Sequence, residues 1–290
     1  MDLHVARRMW LVTEPLHAVT YFAPESFAAW EAVGLPGFWR GYFATRAAPM
    51  GAVGADVVIA TFFNFAPEMV RRAVPGVWTL VDPTTALEAR ASGAAAALRS
   101  ILGDAADPVV LGEAAATLRH ALAACAPAGR ALFAANAALT WPEDPVEALW
   151  HGVTCLREHR GDGHSAALVR ESIDGCEAHV LASARSAGDA GRTTRQGARG
   201  WSDEAWDAAV ARLSERGLVD AAGGVTDLGA SLHDEIERAT DASALAPWAS
   251  LGDGGVRDLE RLLRPLAERV VTSGVVRFPN PMGLPALTPK

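Results

Sequence analysis

The chain has 290 residues, half of them hydrophobic and 21% charged, with a net charge of −8. That is enough for one large domain or two smaller ones with real cores, and without an apolar run of 18 residues nothing in it reads as a membrane-spanning helix. The acidic balance also argues against a dedicated nucleic-acid binder, whose surface is ordinarily basic.

Along the chain, residues 2–13 fit a helix that Glu14-Pro15 interrupts, because proline disfavours helical backbone in the residue before it. Pro24-Glu25 starts a second helix and Gly34 ends it. The segment GFWRGYFATRAAPMG follows at 37–51. Asp56 to Phe65 is an apolar helix candidate, and Pro67 opens a short one through Arg72. Residues 84–101 and 109–126 are alanine-rich with helical spacing, parted by Gly103-Asp104. Arg130 to Leu139 is a further helix. Asp144 caps the next, with Pro145 in its first turn, and it runs to about His159. No strand is evident in the first 160 residues.

From His164 the pattern changes. Two short helices, 164–172 and 176–185, joined by Ile173-Asp174-Gly175 have the form of a helix-turn-helix. Residues 186–200, SAGDAGRTTRQGARG, read as a flexible polar loop. Ser202 caps a helix over 202–216 that stops at Gly217. Leu218-Val219-Asp220 and Gly224-Val225-Thr226 can pair as a hairpin, and a last capped helix covers 228–240. This order resembles the end of MarR-like winged-helix domains, carried by RLSERGLVD at 212–220 and VTDLG at 225–229. The wider chain resembles an actinobacterial family with a helix-turn-helix label, through EPLHAVTYFAPE, GFWRGYFATRAAPMG and LREHRGDGH. That resemblance implies a fold and no particular activity. The expected class is mainly α: a helical region over 1–145 and a winged-helix region over 146–290, α with a small β-hairpin wing. A C-terminal helix at 254–272 is a candidate dimer face.

Charge decides what such a module reads. A reading helix needs basic or amide side chains toward the groove, and phosphate neutralisation dominates affinity. Residues 200–290 hold nine basic against fourteen acidic residues, and the wing has no basic residue. Only Arg185, Arg192, Arg195 and Arg199 form a basic cluster. DNA is therefore a disfavoured partner, and the winged helix is expected to serve as scaffold or pocket wall.

Two clusters can carry chemistry. The first is the run from Arg157 to His164, read as a glycine-containing turn that aims His159, Asp162 and His164 at one point. Histidine can act as acid or base near neutral pH with Glu158 or Asp162 as orienter. His151, Cys155 and His159 share a helix face at metal-ligand distance in sequence, although a cysteine beside Leu and Trp is usually core; no metal or cofactor is expected. The second cluster is aromatic: His17, Tyr21, Trp39, Arg40, Tyr42, Phe43, Arg46, Asn64 and Phe65. Seven of nine phenylalanines precede residue 66. Aromatic walls with a few placed polar groups make small-molecule pockets, and arginines among aromatics call for a partner or an anionic ligand.

The leading expectation is a protein of regulator ancestry that binds a small organic ligand, aromatic or anionic, between the aromatic segment and the 158–164 turn, with Arg157 among the contacts. The alternatives are a specialised-metabolism enzyme using His159 and His164 as acid and base, and a DNA-binding regulator. Three cysteines without CxxC spacing and an N-terminus without a long apolar stretch point to the cytoplasm.

Overall fold

The computed structural model describes residues 2–185, 189–220, 222–285 and 287. Among them the chain forms fourteen α-helices and no strand. α1 (His4–Phe22) runs unbroken through Pro15, contrary to the interruption expected at Glu14-Pro15. Every residue from Val12 to Tyr21 in it is buried, and burial on all sides outweighs the lost backbone hydrogen bond. α2 (Pro24–Ala32), α3 (Phe38–Ala47), α4 (Ala55–Phe62) and α5 (Pro67–Arg71) follow the aromatic part of the sequence. α6 (Pro83–Leu102) and α7 (Pro108–Leu122) are the alanine-rich helices, and α8 (Ala131–Ala137) is short.

The largest departure is α9, which spans Pro145–Arg170 as one helix of 26 residues. The expected start is present, with Asp144 accepting from the Val146 and Glu147 amides. The expected turn at 159–164 is helix interior, and residues 164–172 are not a separate helix. Gly163 is explained by packing rather than by turn geometry. A Cβ there would overlap Ser243 Oγ and lie 2.9 Å from Arg130 Nη1. Arg130 threads this close approach, donating to the carbonyls of His159 and Ser243.

α10 (Gly175–Arg185), α11 (Asp189–Arg199), α12 (Asp203–Glu215), α13 (Asp227–Ser243) and α14 (Ala246–Thr272) complete the chain. α14 breaks its helical path at Gly252. The loop expected over 186–200 is helical from 189 onward, while 186–188 lie outside the described residues. Tertiary partners hold α11 in place. Arg192 donates to Gln196 one turn on and reaches Asp203 and Asp207 of α12, while Arg199 stacks on Phe65.

The β-hairpin wing is absent. Its described residues make a single antiparallel bridge, Val219 with Val225. Asp220 draws the chain into a tight turn by accepting from the Ala222 and Gly224 amides. Immediately beyond the bridge Thr226 becomes the cap of α13, accepting from the Gly229 amide and donating to Gly217 O. No residues remain to extend a ladder.

Three groups of buried side chains hold the helices together. α1, α6, α7, α9 and α14 share the first, the aromatic helices α2–α5 with α6 the second, and the end of α9 with α10, α12 and α13 the third. α14 spends its apolar side, Val256, Leu259, Leu263, Leu266 and Val270, on the first of these and leaves Arg257, Asp258 and Arg261 outside. No described helix is long and apolar enough to cross a membrane.

Candidate functional site

A cavity of about 580 Å³ lies where the three groups of helices meet, with walls from α1, α3, the α4–α5 turn, α9, α10, α11, α13 and residues 281–285. Its polar side chains come from helices that repeat charge at helical spacing: Arg7, Trp10 and Glu14 on α1; Arg157, Arg160 and His164 on α9; His233 and Glu237 on α13. Residues three and four apart share one helix face, so each helix turns one polar stripe inward.

Two ion-pair networks floor the cavity. In the first, Glu158 is fully buried and receives Arg46 through Nε and Nη2, both at 3.2 Å, and Arg157 Nη1 at 2.7 Å. Burial opposes its charge, but the two guanidiniums hold its carboxyl far below the usual range. Glu14 lies 3.7 Å from Arg157 Nε, and burial raises its carboxyl against that attraction. In the second network Arg7 and Arg160 meet Glu237 and Asp241. Glu237 is pushed down to about 2, its burial outweighed by His164, Arg160 and Arg7. His164 Nδ1 sits 2.9 Å from Thr240 Oγ1, and burial carries its imidazole down to about 4 despite Glu237.

The opposite wall is aromatic and basic. Tyr42, Phe62 and Phe65 face it, and Tyr42 hydroxyl accepts from Arg46 Nη1 at 3.1 Å. Arg199 is 9% exposed, lies over the Phe65 ring at 4.5 Å and donates to Pro281 O. Its Nε has no hydrogen-bond partner, and among the described residues no carboxylate lies within ion-pair distance of it. Burial, with Arg46 and Arg157 adding to it, brings its guanidinium down to about 10. His179 is 7% exposed with Nε2 unpartnered, and burial beside Arg199 and Arg195 takes it to about 3.

Asn64 reaches the cavity through an unusual backbone. Phe63 has φ 58° and ψ −54°, and the Asn64 amide donates to Phe62 O at 2.7 Å, which is a strained γ-turn. Close packing pins it: a Cβ on Gly175 would overlap Phe63 O, and Trp201 Nε1 donates to Asn64 O.

The structure thus brings Tyr42, Arg46, Asn64, Phe65, Arg157 and His164 to one cavity. Other sequence candidates stand elsewhere. His17 and Tyr21 lie behind the wall in a buried relay: His17 Nδ1 meets Thr154 Oγ1 at 3.0 Å, its Nε2 meets Tyr21 hydroxyl at 3.2 Å, and Tyr21 packs on Tyr42. Phe43 is core and Trp39 packs edge-on against Phe38, while Arg40 is exposed. His159 turns away and packs on Phe133, and Asp162 accepts from the Phe133 amide at 2.9 Å. His159 and Asp162, three residues apart, share the helix face toward Phe133, while His164 is turned about 140° from His159 and faces the cavity, so the three groups expected to converge in a turn do not meet at one point. His151 Nε2 and Cys155 Sγ are 3.7 Å apart and buried. No group of three metal-ligating side chains forms among the described residues. Sequence reasoning missed Arg160, His179, Arg199, His233 and Glu237. The inward charge stripes on α9 and α13 were the available signal.

The basic residues of the helix-turn-helix region are engaged in bonds within the chain, several of them at the surface. Arg212 binds Asp174 and Glu177, and Arg216 donates to the carbonyls of Glu171 and Ser172. Arg185 pairs with Asp234, Arg192 with Asp203 and Asp207, and Arg195 and Arg199 line the cavity.

These features define an all-helical protein with a charged internal cavity built around a helix-turn-helix segment. The chain belongs to a helix-turn-helix family, whose model matches residues 6–277. No curated protein and no solved structure matches it.

Proposed function

We propose that this chain is a small-molecule-binding protein on a helix-turn-helix scaffold, taking an organic anion with a flat apolar body into the cavity between α1, α3, α9, α11 and α13. Arg199 carries the reading. A buried guanidinium with no carboxylate beside it costs folding free energy unless an anion completes it. Both floor networks are matched in charge, two arginines against two carboxylates each, so Arg199 stands outside them as the anchor for a ligand's carboxylate or phosphate. Tyr42, Phe62 and Phe65 supply the surface for its apolar part. Trp10 on the cavity wall makes intrinsic fluorescence a reporter.

The test compares benzoate and phenyl phosphate with neutral benzamide, by thermal shift and tryptophan fluorescence. At a ligand concentration about 100 times the Kd, binding stabilises the folded state by about 2.7 kcal/mol. Stabilisation by at least one anion but not by benzamide, lost in Arg199→Met, is the expected result. Equal response to all three, no response to either anion, or an unchanged response in Arg199→Met overturns the reading.

Family membership favours a second reading, a DNA-binding regulator. The engagement of Arg212 and Arg216 in surface bonds to Asp174, Glu177 and the carbonyls of Glu171 and Ser172, and the acidic α12, weigh against it. A salt-dependent mobility shift on DNA from the chain's own genomic neighbourhood would support it, and none at low salt would end it.

A further inference from the structure

A second cavity, of about 410 Å³, lies on the other side of α9, between α6, the loop after α8 and the first turns of α9. On its wall stands a buried cation, Arg90, only 2% exposed. Arg90 Nη1 donates to Asn136 Oδ1 at 3.1 Å, and the guanidinium lies over Trp150 at 5.1 Å. Asn136 Nδ2 donates to Leu132 O, which sets the amide so that its oxygen faces Arg90. Nε and Nη2 of Arg90 have no partner, and no carboxylate among the described residues comes within ion-pair distance. Desolvation draws the guanidinium below its ordinary value.

A cation buried this deeply on a cavity wall, with its amide neighbour already oriented, suits a carboxylate. The rest of the lining carries the opposite sign. Glu88 is exposed and Glu147 half-buried on the same cavity, with apolar Leu87, Ala91 and Leu139 between. A simple anion would meet Arg90 favourably and the two glutamates unfavourably. A molecule with a carboxylate at the deep end and an ammonium toward the mouth satisfies both.

We infer that this cavity is a separate binding site for a small zwitterion, an amino acid or close analogue with an apolar side chain. Its carboxylate accepts from Arg90, its ammonium faces Glu88 and Glu147, and its side chain packs against Leu87, Ala91 and Leu139. The site is independent of the first cavity and of what fills that one.

Isothermal titration with norleucine, hexanoate and hexylamine tests it on the full chain. Norleucine should bind, with hexanoate and hexylamine each weaker by about tenfold or more, since each lacks one charge-assisted contact. Arg90→Met should abolish norleucine binding. Ala91→Phe, which fills the cavity without touching the arginine, should abolish it too and guards against a folding defect in the first variant. The double variant Glu88→Gln/Glu147→Gln should bring norleucine down to the affinity of hexanoate, and Arg199→Met should change nothing. The inference is overturned if norleucine gives no binding, if binding survives Arg90→Met and Ala91→Phe, or if hexanoate binds as tightly as norleucine.

Discussion

The buried carboxylate of Glu158 sets the sharpest test of how the cavity floor is held. Glu158→Gln keeps the side-chain volume and removes one charge. Arg46 and Arg157, with side chains 6% and 18% exposed, would then share a neutral amide. Breaking a buried pair from one side costs about 3–5 kcal/mol, because the remaining charge stays in a poor solvent. That is a large part of the total of about 5–15 kcal/mol expected for a folded chain. Urea unfolding followed by circular dichroism should show a fall of that size with an unchanged m-value. The pH dependence supplies the sign. The folded-state pKa of Glu158 is depressed, so its contribution is fully present above the unfolded value of about 4.3 and is lost as pH falls through the folded one. The gap between wild type and Glu158→Gln should stay level from pH 8 to 5 and close only in stronger acid. A loss below about 1 kcal/mol, the range of a solvated surface pair, would refute the description of this carboxylate as the charge that holds both arginines.

Three further outcomes follow from the geometry. Gly163→Ala forces a methyl into Ser243 Oγ and should cost about 1–3 kcal/mol, partly recovered by Ser243→Gly, whereas Gly161→Ala, with 3.6 Å to its nearest neighbour, should gain up to about 1 kcal/mol in a helix interior; equal effects at the two glycines would contradict a continuous α9. Acid should weaken the fold early: burial holds His151 and His159 at about 4 and His179 at about 3. Their unfolded forms protonate near 6.5, so each costs about 1.4 kcal/mol per pH unit between those limits. His164, also at about 4, adds to them, while Asp162, raised by burial to about 6, and Glu14, raised by burial as well, oppose; a urea midpoint as high at pH 5 as at pH 7 would argue against neutral buried histidines. Finally, Ser202→Ala removes the acceptor of the Ala205 amide at the start of α12 and should cost about 1 kcal/mol; a cost near zero would mean that packing alone starts that helix.

What the sequence made legible was local chemistry. Asp144 with Pro145 and Ser202 start helices where they were expected to, since a side-chain cap depends on neighbours two or three residues away. Gly217 ends α12 with φ 69° for the same reason. Glycine and proline inside an element were misread because their role there is tertiary. Pro15, Gly161 and Gly163 have turn chemistry by composition; burial of α1 on all sides carries Pro15, and the approach of Ser243 and Arg130 is what Gly163 makes room for in α9. The arginine-rich 189–199 stretch scores as loop, yet Arg192 and Arg199 fold it by reaching α12 and Phe65.

The same distinction explains the cavity. The aromatic segment and Arg157 stood out because unusual residue types cluster in sequence. Arg160, Glu237, His233 and His179 are spread over three helices, and each alone looks like a solvated surface residue. Their meaning comes from direction: α9 and α13 pack against each other with charged stripes inward, which no surface helix requires. An interior lined with matched ion pairs is a weak source of stability, so a fold that needed only stability could fill this space with leucine. That the chain keeps seven arginines around one cavity, while tying down the arginines of its helix-turn-helix surface, is the physical support for the proposal that it works through the cavity rather than through the groove-reading face.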